Sequence, residues 1–127
     1  MSEKNVILVV EDNDFVRMQI VSYLKEMKYA VLEATAGDKA LDHMFANDNI
    51  GLAIVDVRME PVGGFEFIKA LRNRNINTPV ILVTGDQNSD LLEQANRLAV
   101  AAVLMKPVQK ERLMKIVDRT IQGKRRD

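Results

Sequence analysis

Gly51-Leu52-Ala53-Ile54-Val55-Asp56-Val57 is a short apolar run that never alternates with polar residues and carries one carboxylate near its C-terminal end. Alternation would mark a strand with one wet face. Its absence marks a strand buried on both faces, and such a strand needs helices above and below it. Gly51 opens the run, and Pro61 and Gly63-Gly64 come after it with turn chemistry. Asp56 therefore falls on the carboxyl edge of a strand. In open α/β sheets ligands bind at that edge, because loops converge there over a rigid floor. The plainer role for a single Asp in this place is to open a turn.

The rest of the chain repeats the pattern. Val6-Ile7-Leu8-Val9-Val10 is a second unbroken apolar run, and it stops abruptly at Glu11-Asp12-Asn13-Asp14. From Asp14 to Met27, Phe15, Met18, Val21 and Leu24 recur at helical spacing, widened by Val16, Ile20 and Met27, with Asn13 or Asp14 as the cap. Ala30 to Ala34 reads as a shorter strand, and Gly37-Asp38 turns into a helix carrying Ala40, Leu41, Met44 and Phe45. Phe65, Phe67, Ile68 and Leu71 mark a third helix that stops in the polar stretch from Arg72. Pro79 to Gly85 is a fourth strand, with Pro tolerable only at its start. After a polar loop from Asp86 to Asp90, Leu91, Leu92, Ala95 and Leu98 form a modest helix. Val103-Leu104-Met105 makes a fifth strand, broken by Lys106-Pro107, and Val108, Leu113, Ile116, Val117 and Ile121 belong to a closing helix. Strand and helix thus alternate five times. That predicts an α/β fold of βα units wound into a parallel sheet, with right-handed crossovers placing helices on both faces.

Composition bounds what such a domain can do. The 127 residues suffice for one domain over 1–127, with 123–127 read as a frayed basic tail. Eighteen basic and eighteen acidic residues leave no net charge, so bulk attraction to nucleic acid or an anionic membrane is not expected. There is no Cys to form a disulfide or a thiolate metal site. No apolar run approaches the length of a signal peptide or a membrane span, and a cytoplasmic protein is expected. His43, the single histidine, is expected to be solvated, and the methionines, Met18, Met27 and Met44 among them, to fill the core. Gly37 stands alone, so dinucleotide binding has no glycine-rich loop to rest on.

The residues just beyond the strands carry the chemistry. The first strand ends in Glu11-Asp12, the third in Asp56, the fourth in Thr84-Gly85 and the fifth in Lys106-Pro107. In a parallel sheet these tips share one crevice. Three carboxylates crowded together repel, and a divalent cation resolves the repulsion; hard oxygen ligands with room for water and phosphate suit Mg²⁺. Lys106 offers a compact positive charge, Thr84 a hydroxyl, and Gly85 an approach free of side-chain bulk. With a cation bound, Asp56 is suited to be a nucleophile that forms an aspartyl-phosphate.

Glu11-Asp12, Asp56, Thr84 and Lys106-Pro107, in this order after four strands, resemble the receiver domain of bacterial two-component response regulators over essentially the whole chain. The resemblance implies the flavodoxin-like strand order 2-1-3-4-5, the doubly wound order in which the chemotaxis receiver is a standard example. It implies that Asp56 accepts a phosphoryl group from a phosphohistidine of a sensor kinase or histidine phosphotransfer protein. Glu11, Asp12, Asp56 and the backbone carbonyl of Arg58 would hold Mg²⁺, Thr84 and Lys106 would bind the phosphoryl oxygens, and the peptide before Pro107 would be cis. Gly64 matches the family's glycine after the acceptor strand. Three departures from the pattern stand out: Val103 stands where members carry an aromatic residue that moves with the Thr hydroxyl, Pro61 comes one place late, and Arg58 and Asp86 have opposite charges that would pair across the mouth and slow water attack.

The expectation is a phosphorylation-controlled switch that regulates a partner protein, without an output domain after the last helix and without being an enzyme in the usual sense. The first helix would dock the phosphodonor, and the last two helices with the fifth strand would meet the target. A homodimer and an N-terminal receiver fragment of a longer regulator stay open. An Asp-nucleophile phosphatase would carry a second Asp two residues after the first, where Arg58 stands. A flavin-binding domain of the same architecture would set its phosphate against Glu11-Asp12, which repels it.

Overall fold

The structure, a computed structural model, describes residues 5–59, 62–86 and 88–125. Among these, strands and helices alternate as β1 (Val6–Val10), α1 (Asp14–Glu26), β2 (Ala30–Ala34), α2 (Gly37–Ala46), β3 (Ile50–Asp56), α3 (Gly64–Asn73), β4 (Val80–Thr84), α4 (Ser89–Arg97), β5 (Ala102–Met105) and α5 (Lys110–Arg125). The strands pair in parallel in the order β2-β1-β3-β4-β5. This is the parallel, doubly wound sheet that the alternating runs predict, in the flavodoxin-like order that the resemblance implies.

Every residue of β1, β3 and β4 is buried, which is why their sequences show no alternation. Side chains point to opposite faces in turn, and each face has its own core. Leu8, Val55 and Leu82 pack with Met44 of α2 and Phe67 of α3 on one side. Ile7, Ile54 and Ile81 pack with Leu24 of α1 and Val117 of α5 on the other. Burying a side chain of this size fully stabilises the fold by roughly 1.5–3 kcal/mol, so the central strands anchor the rim that carries the polar residues.

Local details depart from the sequence pattern in instructive ways. Phe15 and Met18 are exposed, 75% and 66%, rather than part of the buried stripe of α1, and Met18 is therefore not core filler. The buried face is Ile20, Val21 and Leu24. Phe15 lies nine residues from Leu24, which at about 3.6 residues per turn puts it on the opposite side of the helix. Asn13 rather than Asp14 is the cap, its Oδ1 accepting from the Val16 amide at 2.9 Å. Asn88 caps α4 in the same way, accepting from the Leu91 amide at 2.8 Å, so this helix starts inside the stretch read as loop. Helices α1, α3 and α4 stop on left-handed residues that are not glycine, Lys28, Asn75 and Ala99, so no glycine marks these ends in the sequence. Helix α5 continues past Gly123 to Arg125, while Arg126 and Asp127 lie outside the described residues, as do Glu60, Pro61 and Gln87.

Candidate functional site

Parallel pairing carries the strand ends to one rim, and the side chains there are held by different means. Glu11 comes directly after β1, and its amide donates to the Ala34 carbonyl of β2 at 3.0 Å, prolonging the sheet by one residue. Asp56 is the last residue of β3, in register with Val83 of β4. Thr84 ends β4, and its carbonyl accepts from the Lys106 amide at 2.8 Å, which fixes Lys106 just beyond β5. The Lys106-Pro107 peptide is cis. Gly64 opens α3 directly against the end of β3, where a Cβ would run into the Asp56 carbonyl and the Val57 Cα. A glycine is what allows the helix and the strand end to approach so closely.

The result is a cavity of about 350 Å³ lined by Glu11, Asp12, Asn13, Asp56, Arg58, Thr84, Gly85, Asp86 and Lys106. One carboxylate oxygen each from Glu11, Asp12 and Asp56 lie within 4.8 Å of one another. The Lys106 ammonium stands 3.2 Å from Glu11 Oε1 and 3.3 Å from Asp56 Oδ1. Glu11, Asp56 and Thr84 are buried, whereas Asp12 is exposed at the mouth. A larger hollow of about 730 Å³ near Phe45 and Asn77 gathers no such opposed charges, so the chemistry is located by charge and not by volume.

Burial and neighbouring charges shift the ionisable groups of the site. Burial pushes the Glu11 carboxyl up from 4.5 to about 7; repulsion from Asp56 adds to this, while the Asn13 amide and Lys106 pull against it. Burial alone would lower the Lys106 ammonium, but the Asp56 and Glu11 carboxylates outweigh it and raise its pKa. A protonated Lys106 thus balances part of the negative charge. Three converging hard oxygen donors, one of them exposed to incoming solvent, form a donor set that fits Mg²⁺.

At the mouth, Arg58 and Asp86 form an ion pair. Asp86 also engages Thr84: the Thr84 hydroxyl donates to the Asp86 carbonyl at 3.0 Å and accepts from the Asp86 amide at 3.0 Å. Gly85 between them has open space where a Cβ would be. Val103 is half-buried in β5 opposite Leu82 and packs against the core shared with α3. His43 is half-buried rather than simply solvated, its Nε2 lying 3.0 Å from the Glu33 carbonyl. One residue at the site has no prominence in the sequence: Arg17 of α1 donates to the Glu11 carbonyl at 2.9 Å. Its spacing from Asp14 signals a helix-surface ion pair and nothing more.

Comparison with known proteins agrees with this geometry. The family model of the response regulator receiver domain matches residues 7–118. The chain is 30% identical to the regulatory protein AtoC of Escherichia coli over 96% of its own length and 26% of that protein. It is 33% identical to the transcriptional regulatory protein FixJ of Azorhizobium caulinodans over 84% of its length and 50% of that protein. It therefore spans half or less of these relatives. Among solved structures, a response regulator receiver protein from Pseudomonas putida superposes with a TM-score of 0.87 at 28% identity, covering 94% of this chain and 99% of that one. The chemotaxis protein CheY4 of Vibrio cholerae gives 0.85 at 26% identity, covering 94% and 99%. With the sheet order, the acidic rim and a family match over most of its length in agreement, the chain belongs to the response regulator receiver domain family.

Proposed function

We propose that this receiver domain is a switch whose phosphoryl acceptor is Asp56, charged by a phosphohistidine of a sensor kinase or histidine phosphotransfer protein in the cytoplasm. The observation that carries this reading is the meeting of the Asp56 carboxylate with the Lys106 ammonium, 3.3 Å apart, inside the acidic cluster. An Asp56 oxygen attacks phosphorus, the P–N bond to the donor imidazole breaks, and the imidazole leaves with its electron pair. Lys106 neutralises charge that builds on the phosphoryl oxygens. The Thr84 hydroxyl exchanges the Asp86 carbonyl for a phosphoryl oxygen. Glu11, Asp12, Asp56 and the Arg58 carbonyl would hold Mg²⁺, which when bound supplies charge neutralisation for the transferring group.

The docking faces are the apolar surfaces left uncovered near the rim. Phe15 and Met18 stand exposed on α1, next to the turn that bears Asp12, and offer an apolar footing for the phosphodonor. Leu92 and Met105 are partly exposed beside a hollow of about 400 Å³ that Val103, Pro107 and Arg112 also line. This surface of α4, β5 and α5 would meet a downstream protein whose affinity changes with phosphorylation.

The test is intact-mass measurement after incubation with a small phosphodonor and Mg²⁺. A single phosphoryl adduct that disappears in Asp56→Ala and in chelator is expected. An adduct that persists in Asp56→Ala would reject Asp56 as the acceptor.

A further inference from the structure

Arg17 lies in the first turn of α1, and its three kinds of guanidinium nitrogen each serve a different segment. Nη1 donates to the Glu11 carbonyl at 2.9 Å, Nε to Glu33 Oε1 of β2 at 3.1 Å, and Nη2 to Asp14 Oδ1 of α1 at 2.6 Å. Its side chain is only 13% exposed. We infer that Arg17 is a positioning residue for the metal site: it fastens the turn bearing Glu11 and Asp12 so that both carboxylates stay converged on Asp56 before a cation arrives. This rests on the proposed Mg²⁺ site and extends it to a residue outside the cluster.

Like charges within 4.8 Å push apart, and the turn after β1 is where they can yield, because the strand ladder ends there. Glu11 is held to β2 through its amide and to the Asn13 amide through its carboxylate, 3.1 Å away. Its carbonyl, which leads into Asp12, takes its hydrogen bond from Arg17. A planar guanidinium can meet a carbonyl and two carboxylates at fixed angles, which a point-like ammonium cannot. Asp14 and Glu33 balance the charge of Arg17 locally, so geometry is what it transmits to the turn. Charge alone would act with the opposite sign, since a cation near the site opposes the binding of Mg²⁺.

Calorimetric titration of Mg²⁺ into the metal-free chain, with Arg17→Lys, Arg17→Gln and Glu33→Ala alongside, separates these roles. Both Arg17 variants should bind Mg²⁺ about tenfold more weakly, the range found when residues supporting a metal ligand are removed. Glu33→Ala, which frees the guanidinium while leaving it in place, should weaken binding in the same direction by less. In phosphorylation by the small donor, half-saturation in Mg²⁺ should rise while the rate at saturating metal stays within about twofold, a split that general destabilisation would not give. Wild-type affinity in Arg17→Lys and Glu33→Ala, or tighter binding in Arg17→Gln, overturns the inference. Should the Arg17 variants not fold, Glu33→Ala titrated at low and at high salt decides: weakening that persists when exposed charges are screened supports the positioning role, and wild-type affinity at high salt overturns it. A wild-type chain that binds no Mg²⁺ overturns the metal reading as well, whereas unchanged affinity in the variants overturns only the role of Arg17.

Discussion

Asp86 joins two sides of the mouth, because its carboxylate pairs with Arg58 while its backbone holds the Thr84 hydroxyl. Water reaching a phosphorylated Asp56 would pass this pair. Arg58→Ala should therefore shorten the lifetime of the aspartyl-phosphate by up to about fivefold, since an exposed ion pair is worth roughly 1 kcal/mol or less. The decay of the phosphoryl adduct, tracked by mass measurement, checks this, and an unchanged lifetime would assign Arg58 no gating role. At this scale the sequence was informative wherever a charged or hydroxyl residue closes an apolar run, as Glu11, Asp56, Thr84 and Lys106 do. Arg17 was not legible as a site residue, because beyond Asp14 its acceptors are a backbone carbonyl and a carboxylate on a strand sixteen residues away.

The contact between β3 and α3 is the tightest joint near the site. Gly64 donates its amide to the Val57 carbonyl at 3.1 Å, and a methyl there would meet backbone atoms of Asp56 and Val57 that no rotamer change can move aside. Gly64→Ala should lower stability by about 1–3 kcal/mol, as overpacking against fixed backbone does. Gly85→Ala faces open space and should stay within about 0.5 kcal/mol. Denaturant unfolding of the pair compares the two directly. Helix positions were readable from periodicity, but their bounds and faces were less so. Phe15 and Met18 fit the helical spacing as well as Ile20 does, and only the lie of α1 on the sheet selects Ile20 for burial. The start of α4 and the ends of α1, α3 and α4 depend on side-chain caps and left-handed residues that composition does not mark.

For the whole molecule, the raised Glu11 carboxyl makes stability depend on pH. The folded chain keeps a proton on Glu11 up to about 7, whereas the unfolded chain releases it near 4.5. Between these values the folded state binds more protons, so this group's contribution to stability is full below the lower value and is lost as pH rises through the upper one. Metal-free protein should lose on the order of 1–3 kcal/mol from about pH 5 to 7.5 through Glu11. Denaturant midpoints measured in chelator at both pH values test this; Glu11→Gln should flatten the slope, and Mg²⁺, which takes the proton's place, should reduce it. The fold class itself was plain from alternating runs and periodic stretches, because the central strands and their covering helices leave strong signatures. The parallel rim has a consequence for synthesis. Its acidic members come from the first and third strands and its ammonium from just beyond the fifth, so no partial product emerging from the ribosome owns a finished reaction centre. On the proposed reading, a growing chain that stops short of Lys106 would lack the ammonium that faces Asp56, and acquiring the label would amount to a proofread of the entire sheet.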